Sequence, residues 1–252
     1  MSSGSTDRVI VITGGSRGIG RATALALAAR GFRIVIGYAS NKAAADEVVA
    51  AINVKNGRAS SVRCDVGEEK DILRLFAVAD ELGALSGLVN NAGIAAKIAR
   101  VDELSAERIQ RMITVNIAGS ILCAREAVKR MSTRHGGSGG VIVNLSSAAA
   151  KLGAANTHVD YAASKGAIES FTIGLGHEVA DEGIRVVGVR PGIIDTDLHA
   201  TVGEPDRARK LAHLVPMKRI GQADEVANAI VWLISNEASY VTSTILDVSG
   251  GR

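Results

Sequence analysis

Runs of consecutive apolar, largely β-branched residues recur along the chain, each followed by a longer stretch of helical length. Arg8–Thr13 is the first such run, and Phe32–Tyr38, Ala59–Cys64, Leu85–Asn90, Gly140–Ser146, Ile184–Arg190 and Thr244–Ser249 repeat it. A run with no polar alternation fits a strand buried on both faces. The intervening segments Gly18–Arg30, Lys42–Asn56, Glu68–Leu82, Ala106–Arg134, Tyr161–Glu182 and Asp224–Ser235 are alanine-rich or amphipathic and predict helices. Alternating strands and helices imply an α/β fold, a doubly wound sheet of seven mostly parallel strands with helices on both faces. Ligands then bind at the carboxyl ends of the strands. No linker, repeat or shift of composition divides residues 1–252, so one domain is expected, with residues 1–7 as a disordered tail. Only Gly192–Met217 breaks the rhythm. Long, polar and placed past a strand's carboxyl end, it reads as a lid over a substrate.

Composition narrows the function classes. With 47% apolar and 22% charged residues the chain is rich enough in core material to exclude disorder as its main state. The 29 Lys and Arg against 26 Asp and Glu leave a net charge of +3, too slight and too dispersed for a nucleic-acid partner. No apolar run approaches the ~20 residues that span a bilayer, and the polar amino terminus lacks a secretory core. Cys64 and Cys123 sit in apolar stretches and read as buried reduced thiols, which with the missing signal predicts a cytoplasmic protein. His135, His177, His199 and His213 show no ligand spacing, so no metal site is expected. His158 reads either as a surface residue at a helix start or as a residue facing the substrate. Trp232 reads as packing in the apolar face Ala229–Ile234.

Chemistry gathers at the predicted strand ends. Thr13–Gly20 (TGGSRGIG) follows the first strand, and Gly14, Gly18 and Gly20 would let backbone approach a ligand at a helix amino terminus. A pyrophosphate is the natural occupant, with Ser16 and Ile19 in the same turn, although a plain tight turn would read alike. The second strand ends in Gly37–Lys42 (GYASNK), with no acid before Asp46 to bind ribose hydroxyls. Arg17 can reach a 2′-phosphate, and Ser40 and Asn41 can donate hydrogen bonds, which favours NADP(H) over NAD(H). The alternative is a solvated Arg17 and a helix cap at Ser40. Asn91, Ala92 and Gly93, in the NNAG that closes the fourth strand, either touch the cofactor or, like Asn90, brace the sheet edge. Asp65 with Val66 suits the adenine edge or a simple turn. In Tyr161–Lys165 (YAASK), residues four apart share a helix face, and a neighbouring ammonium lowers a phenol from ~10 toward the range of acid–base work.

Ser146 and Ser147 end the fifth strand, and Asn116 lies in the helix before it. These residues, with TGGSRGIG, CDV (Cys64–Val66), NNAG, NLSS (Asn144–Ser147), YAASK and RPGIIDTD (Arg190–Asp197), follow one another in an order that resembles the short-chain dehydrogenase/reductase family over nearly the whole chain. The likeness is to bacterial members related to 3-oxoacyl-acyl carrier protein reductases and glucose dehydrogenases. It implies a Rossmann-type domain in which Tyr161 is the general acid or base and Lys165 lowers its pKa and binds the nicotinamide ribose. By the same likeness Ser147 polarises the substrate carbonyl, Asn116 holds a water linked to Lys165, and Pro191, Gly192, Ile194 and Thr196 meet the carboxamide end of the nicotinamide. The stretch from Ser147 to Tyr161 is one residue longer than the family's usual spacing, which keeps Ser146 as an alternative serine and suggests a reshaped pocket wall.

The implied activity is NADP(H)-dependent interconversion of a carbonyl and a secondary alcohol. The alternatives are an NAD-preferring sugar or polyol dehydrogenase and a non-catalytic dinucleotide sensor. The substrate would be a small carbonyl or alcohol, free or on an anionic carrier met by Arg207, Arg209 and Lys210. The run Thr244–Ser249 would lie at a sheet edge, and Ile117, Ile121 and Ala124 with Ala167, Phe171 and Leu175 would form second apolar helix faces that need cover. In relatives the matching helices, end strand and last helix build a homotetramer with 222 symmetry, and the same assembly is expected here.

Overall fold

Alternate residues of an extended run point to opposite faces, and here both faces are filled. In β1 (Arg8–Thr13), Val9 and Val11 pack into one core layer and Ile10 and Ile12 into the other, all four fully buried. The computed structural model describes residues 7–196 and 210–252. After β1 come α1 (Gly18–Ala28), β2 (Arg33–Tyr38), α2 (Lys42–Asn53), β3 (Ala59–Arg63), α3 (Glu69–Leu82) and β4 (Ala84–Asn90). Then follow α4 (Ala106–Met112), a π-helical turn (Ile113–Gly119), α5 (Ser120–Met131), β5 (Gly140–Leu145), α6 (Ala149–Leu152) and α7 (Val159–Glu178). The last elements are β6 (Ile184–Pro191), β7 (Ile194–Asp195), β8 (Gly221–Gln222), α8 (Ala223–Ile234) and β9 (Thr244–Val248).

Seven strands form one parallel sheet in the order β3-β2-β1-β4-β5-β6-β9. The order reverses between β1 and β4, and such a switch point opens a crevice at the strand ends. One core layer lies under α1, α2 and α8, and the other under α3, α5 and α7. In α3 the buried residues Ile72, Leu75, Phe76 and Ala79 recur at the spacing of one helix face. Among the described residues, no helix is long and apolar enough to cross a membrane.

Several expectations change. The helix expected over Ala106–Arg134 is interrupted by the π-helical turn, and it ends at Met131. Gly119 lies so close to the loop after β3 that a Cβ would stand 2.6 Å from the Val66 carbonyl oxygen. The helix expected over Tyr161–Glu182 begins at Val159, stops at Glu178 and gives way to a 3₁₀ turn at Ala180–Glu182. Asp7, placed in the expected tail, is held by the sheet. Its carbonyl accepts from the Ala84 amide at 3.1 Å, and its carboxylate meets Arg33. The expected lid is pinned at both ends. Ile194–Asp195 pairs with Gly221–Gln222, and the Met217 amide donates to the Gly250 carbonyl at 3.2 Å. Its middle, 197–209, with His199, Arg207 and Arg209, lies outside the described residues, as do residues 1–6. Trp232 turns outward from α8 and is 39% exposed, so it is not core packing.

Candidate active site

The carboxyl end of β1 runs into a turn that only glycine satisfies. Gly14 and Gly18 have φ of 64° and 52°, in the left-handed region. At Gly20 the constraint is space, since a Cβ there would overlap the Gly14 carbonyl oxygen and stand 2.6 Å from Asn91 Nδ2. The turn thus delivers the first amides of α1 to the crevice, an arrangement suited to a phosphate. Across the switch point, Asn91 fixes it. Its Nδ2 donates to the carbonyls of Thr13 and Gly14, each at 2.9 Å, and the amides of Asn91 and Ala92 donate to Thr13 Oγ1 at 3.1 and 3.0 Å. Asn90 points away from the crevice. Its Nδ2 donates to the Ser120 carbonyl at 3.0 Å and to Asn144 Oδ1 at 2.9 Å.

A cavity of about 370 Å³ opens over these strand ends. Every residue expected to bind cofactor lines it except Gly20, which is packed beneath the turn. Ser147, Tyr161 and Lys165 line it as well. Asn116 does not line it; it is buried in the π-helical turn. Its Oδ1 accepts from the Ile94 amide at 2.8 Å, and its Nδ2 reaches the Ile94 carbonyl and Ser164 Oγ, both at 3.0 Å. Gly93 lies between Asn116 and Lys165: a Cβ on it would lie 3.4 Å from Asn116 Oδ1 and 3.5 Å from Lys165 Nζ.

On α7, Lys165 Nζ stands 5.7 Å from the centre of the Tyr161 ring and donates to the Leu145 carbonyl at 2.6 Å. Burial pulls the Lys165 pKa down from 10.5 to about 8. Burial also pushes the Tyr161 phenol above its ordinary value, and a hydrogen bond with Ser147 opposes that rise. Burial sets the direction, opposite to the lowering expected from the ammonium. The two serines diverge: both line the cavity, but Ser147 faces Tyr161, whereas Ser146 Oγ donates to Glu169 Oε1 at 2.6 Å. The extra residue between Ser147 and Tyr161 is absorbed after α6, where Gly153, Ala154 and Asn156 take φ of 74°, 49° and 58°.

Other residues line the cavity too, among them Tyr38, Ile94, Arg111 and His158. Tyr38 and Ile94 were hidden among apolar neighbours in the sequence. Arg111, which no motif marks, lines the cavity from α4, and its Nη2 donates to Asp65 Oδ2 at 2.6 Å. His158 occupies the position just before α7, as the helix-start reading expects, and is half-buried at the cavity wall. At the end of β2, Asn41 rather than Ser40 caps α2, its Oδ1 accepting from the Ala44 amide at 3.0 Å. Asp46, the first acid there, pairs with Lys42 at 2.5 Å.

A parallel doubly wound sheet, a glycine turn at its switch point and a Tyr-Lys pair facing the same crevice define a dinucleotide-associated oxidoreductase architecture. A family model described as enoyl-(acyl carrier protein) reductase matches residues 14–252. The chain is 50% identical over 245 residues to the uncharacterized oxidoreductase YgfF of Escherichia coli, covering 97% of this chain and 99% of that one. It is 36% identical over 247 residues to glucose 1-dehydrogenase 2 of Bacillus subtilis, covering 98% and 95%. A short-chain dehydrogenase from Burkholderia cenocepacia, solved in complex with NADP, superposes with a TM-score of 0.88 at 31% identity over 96% of each chain. The chain belongs to the short-chain dehydrogenase/reductase family of oxidoreductases.

Proposed function

We propose that the protein interconverts a small carbonyl and the matching secondary alcohol with NADP(H), Tyr161 serving as general acid or base. One observation carries this reading: Tyr161, Ser147 and Lys165 line the same cavity as the glycine turn, with Lys165 Nζ beside the Tyr161 ring. The glycine cradle, with its close approach at Gly20 and open helix terminus, fits a dinucleotide pyrophosphate. When bound, the cofactor supplies or accepts the hydride at its nicotinamide. Ser147 Oγ polarises the carbonyl oxygen, and the Tyr161 hydroxyl gives it a proton in reduction or removes one in oxidation. Lys165, buried and largely charged below pH 8, favours the phenolate and binds the nicotinamide ribose. Asn116 holds a water in the gap beside Gly93. Pro191, Gly192, Ile194 and Thr196 hold the carboxamide end, and Asp65 and Val66 the adenine.

The preference for NADP(H) rests on Arg17, exposed at the head of α1, with Ser40 and Asn41, and on the lack of an acid at the end of β2. The family neighbour solved with NADP supports it. Cys64 and Cys123 are buried and free, which suits a reducing, cytoplasmic setting. A homotetramer is the proposed assembly.

The test follows NADPH oxidation by its absorbance with a panel of ketones and diketones. Tyr161→Phe should lower kcat by about 100-fold or more, the usual worth of a general acid. NADPH affinity should stay within about twofold, because only the hydroxyl is removed. A variant that keeps most of its turnover would refute the mechanism, and NADPH binding without turnover of any carbonyl would favour a sensor.

A further inference from the structure

Behind the cavity, side chains from five segments join in one continuous set of hydrogen bonds. Glu169 lies one helical turn beyond Lys165 and two beyond Tyr161, on the same side of α7. Its Oε1 accepts from Ser146 Oγ at 2.6 Å and Arg190 Nε at 2.8 Å, and its Oε2 accepts from Arg190 Nη2 at 2.7 Å. Arg190 Nη1 donates to Asp247 Oδ1 at 2.6 Å, and Lys151 Nζ donates to Asp247 Oδ2 at 2.5 Å. Burial pushes the Glu169 carboxyl up, but Arg190 and Ser146 outweigh it and hold it below the ordinary carboxylate range. Arg190 is 6% exposed, and a guanidinium cannot shed its charge, so it depends on both carboxylates.

Glu169, Arg190 and Asp247 do not line the cavity, but Ser146 does, and other members of the network adjoin residues that do. Ser146 precedes Ser147. Arg190 precedes Pro191 and Gly192. Lys151 lies in α6, whose Ala149 amide donates to Ser147 Oγ at 3.2 Å. Buried ion pairs add little net stability for their desolvation cost, but a bidentate pair fixes geometry tightly. We propose that Glu169 and Arg190 are positioning residues: together they set the Ser147 hydroxyl against Tyr161 and hold the Pro191–Gly192 turn at the nicotinamide end of the cavity. The second half of this assignment rests on the cofactor reading above, whereas the first does not.

Two readouts on the full-length protein need no substrate. The first is ultraviolet titration of the Tyr161 phenol, taken as the difference between each protein and its Tyr161→Phe counterpart. Burial and Ser147 bear on that phenol and Lys165 lies beside its ring, while His158 and the Asp160–Arg108 pair stand near it at the start of α7, and none of these side chains is altered. The second is calorimetric affinity for NADPH against 2′,5′-ADP, which carries the phosphorylated adenosine but no nicotinamide. In Glu169→Gln the Tyr161 titration should move up by about half a pH unit as the Ser147 bond slackens. NADPH should bind about fivefold more weakly, with 2′,5′-ADP changed by less than about twofold. Ser146→Ala deletes one hydrogen bond and spares the ion pair, so it covers a Glu169→Gln protein that does not fold. It should move the Tyr161 titration the same way. An unmoved titration in Ser146→Ala, or in folded Glu169→Gln, overturns the placing of Ser147; equal loss of both nucleotides overturns the placing of the turn. If the unaltered protein binds neither nucleotide, the cofactor reading falls and the turn assignment falls with it. The Tyr161 titration still decides the Ser147 half.

Discussion

Lys165 spends stability on its position. A lysine whose pKa drops from 10.5 to about 8 in the fold binds fewer protons than the unfolded chain between those values, so stability from this group rises with pH across that window. Below pH 8 the penalty is complete, roughly 3 kcal/mol. Lys165→Met removes the charge but leaves the Leu145 carbonyl without its donor, which returns roughly 1 kcal/mol. The cofactor-free variant should therefore melt about 5 °C higher at pH 7, the gap closing toward pH 10. Calorimetric scans at the two pH values decide this, and a variant less stable at pH 7 would contradict the sign. Arg17 poses a separate question at the same scale. Arg17→Ala should weaken NADPH by about tenfold while barely changing NADH, because only NADPH carries the 2′-phosphate. Equal losses in a fluorescence titration would make Arg17 a residue of the turn instead.

Among the elements, the π-helical turn is the one the sequence conceals. Continuous β-branched runs declare the strands, and the motifs at their ends declare the crevice, because both signals are local. Asn116 acts across 22 positions on the Ile94 backbone, and no spacing rule registers a side chain that bonds to distant main chain. The serines show the same divide: NLSS marks the strand end and the family likeness points to Ser147, but the bond from Ser146 to Glu169 on α7 is not legible in the motif. Arg111 carries no signal in the sequence because its partner, Asp65, comes from another element, and for the same reason the two readings of His158 stay open there. The start of α7 is similarly held from outside, as Arg108 on α4 grips both oxygens of Asp160 at 2.8 and 3.1 Å. Asn116→Ala would strip partners from both the amide and the carbonyl of Ile94. Urea unfolding should register a loss of about 2 kcal/mol. An undiminished midpoint would mean that the π-helical turn stands without its side-chain tether.

For the whole molecule, the outward faces matter most. β9 closes one edge of the sheet, and Ile109, Ile113, Ile121 and Ile173 are exposed on α4, the π-helical turn, α5 and α7. The expected outer faces need amendment: Ala124 is fully buried in the core, and Phe171 and Leu175 lean on it. Ile121→Glu is therefore the cleaner probe of assembly, since Phe171→Glu would also injure the core. Light scattering of the unaltered protein at micromolar concentration should give a tetramer mass, with Ile121→Glu giving smaller species. A monomer from the unaltered chain would defeat the proposed assembly and leave the chemistry untouched. Deeper in the molecule, the clasp of Thr13 and Asn91 binds the two sides of the switch point to each other rather than to any visitor. A floor secured in this way is already shaped before a dinucleotide arrives and keeps its shape after one leaves. On the proposed reading it meets only the half of the ligand that hydride transfer does not alter. Telling spent cofactor from fresh is then left to the opposite wall, where Lys165 and the Pro191–Gly192 turn meet the ring whose charge changes.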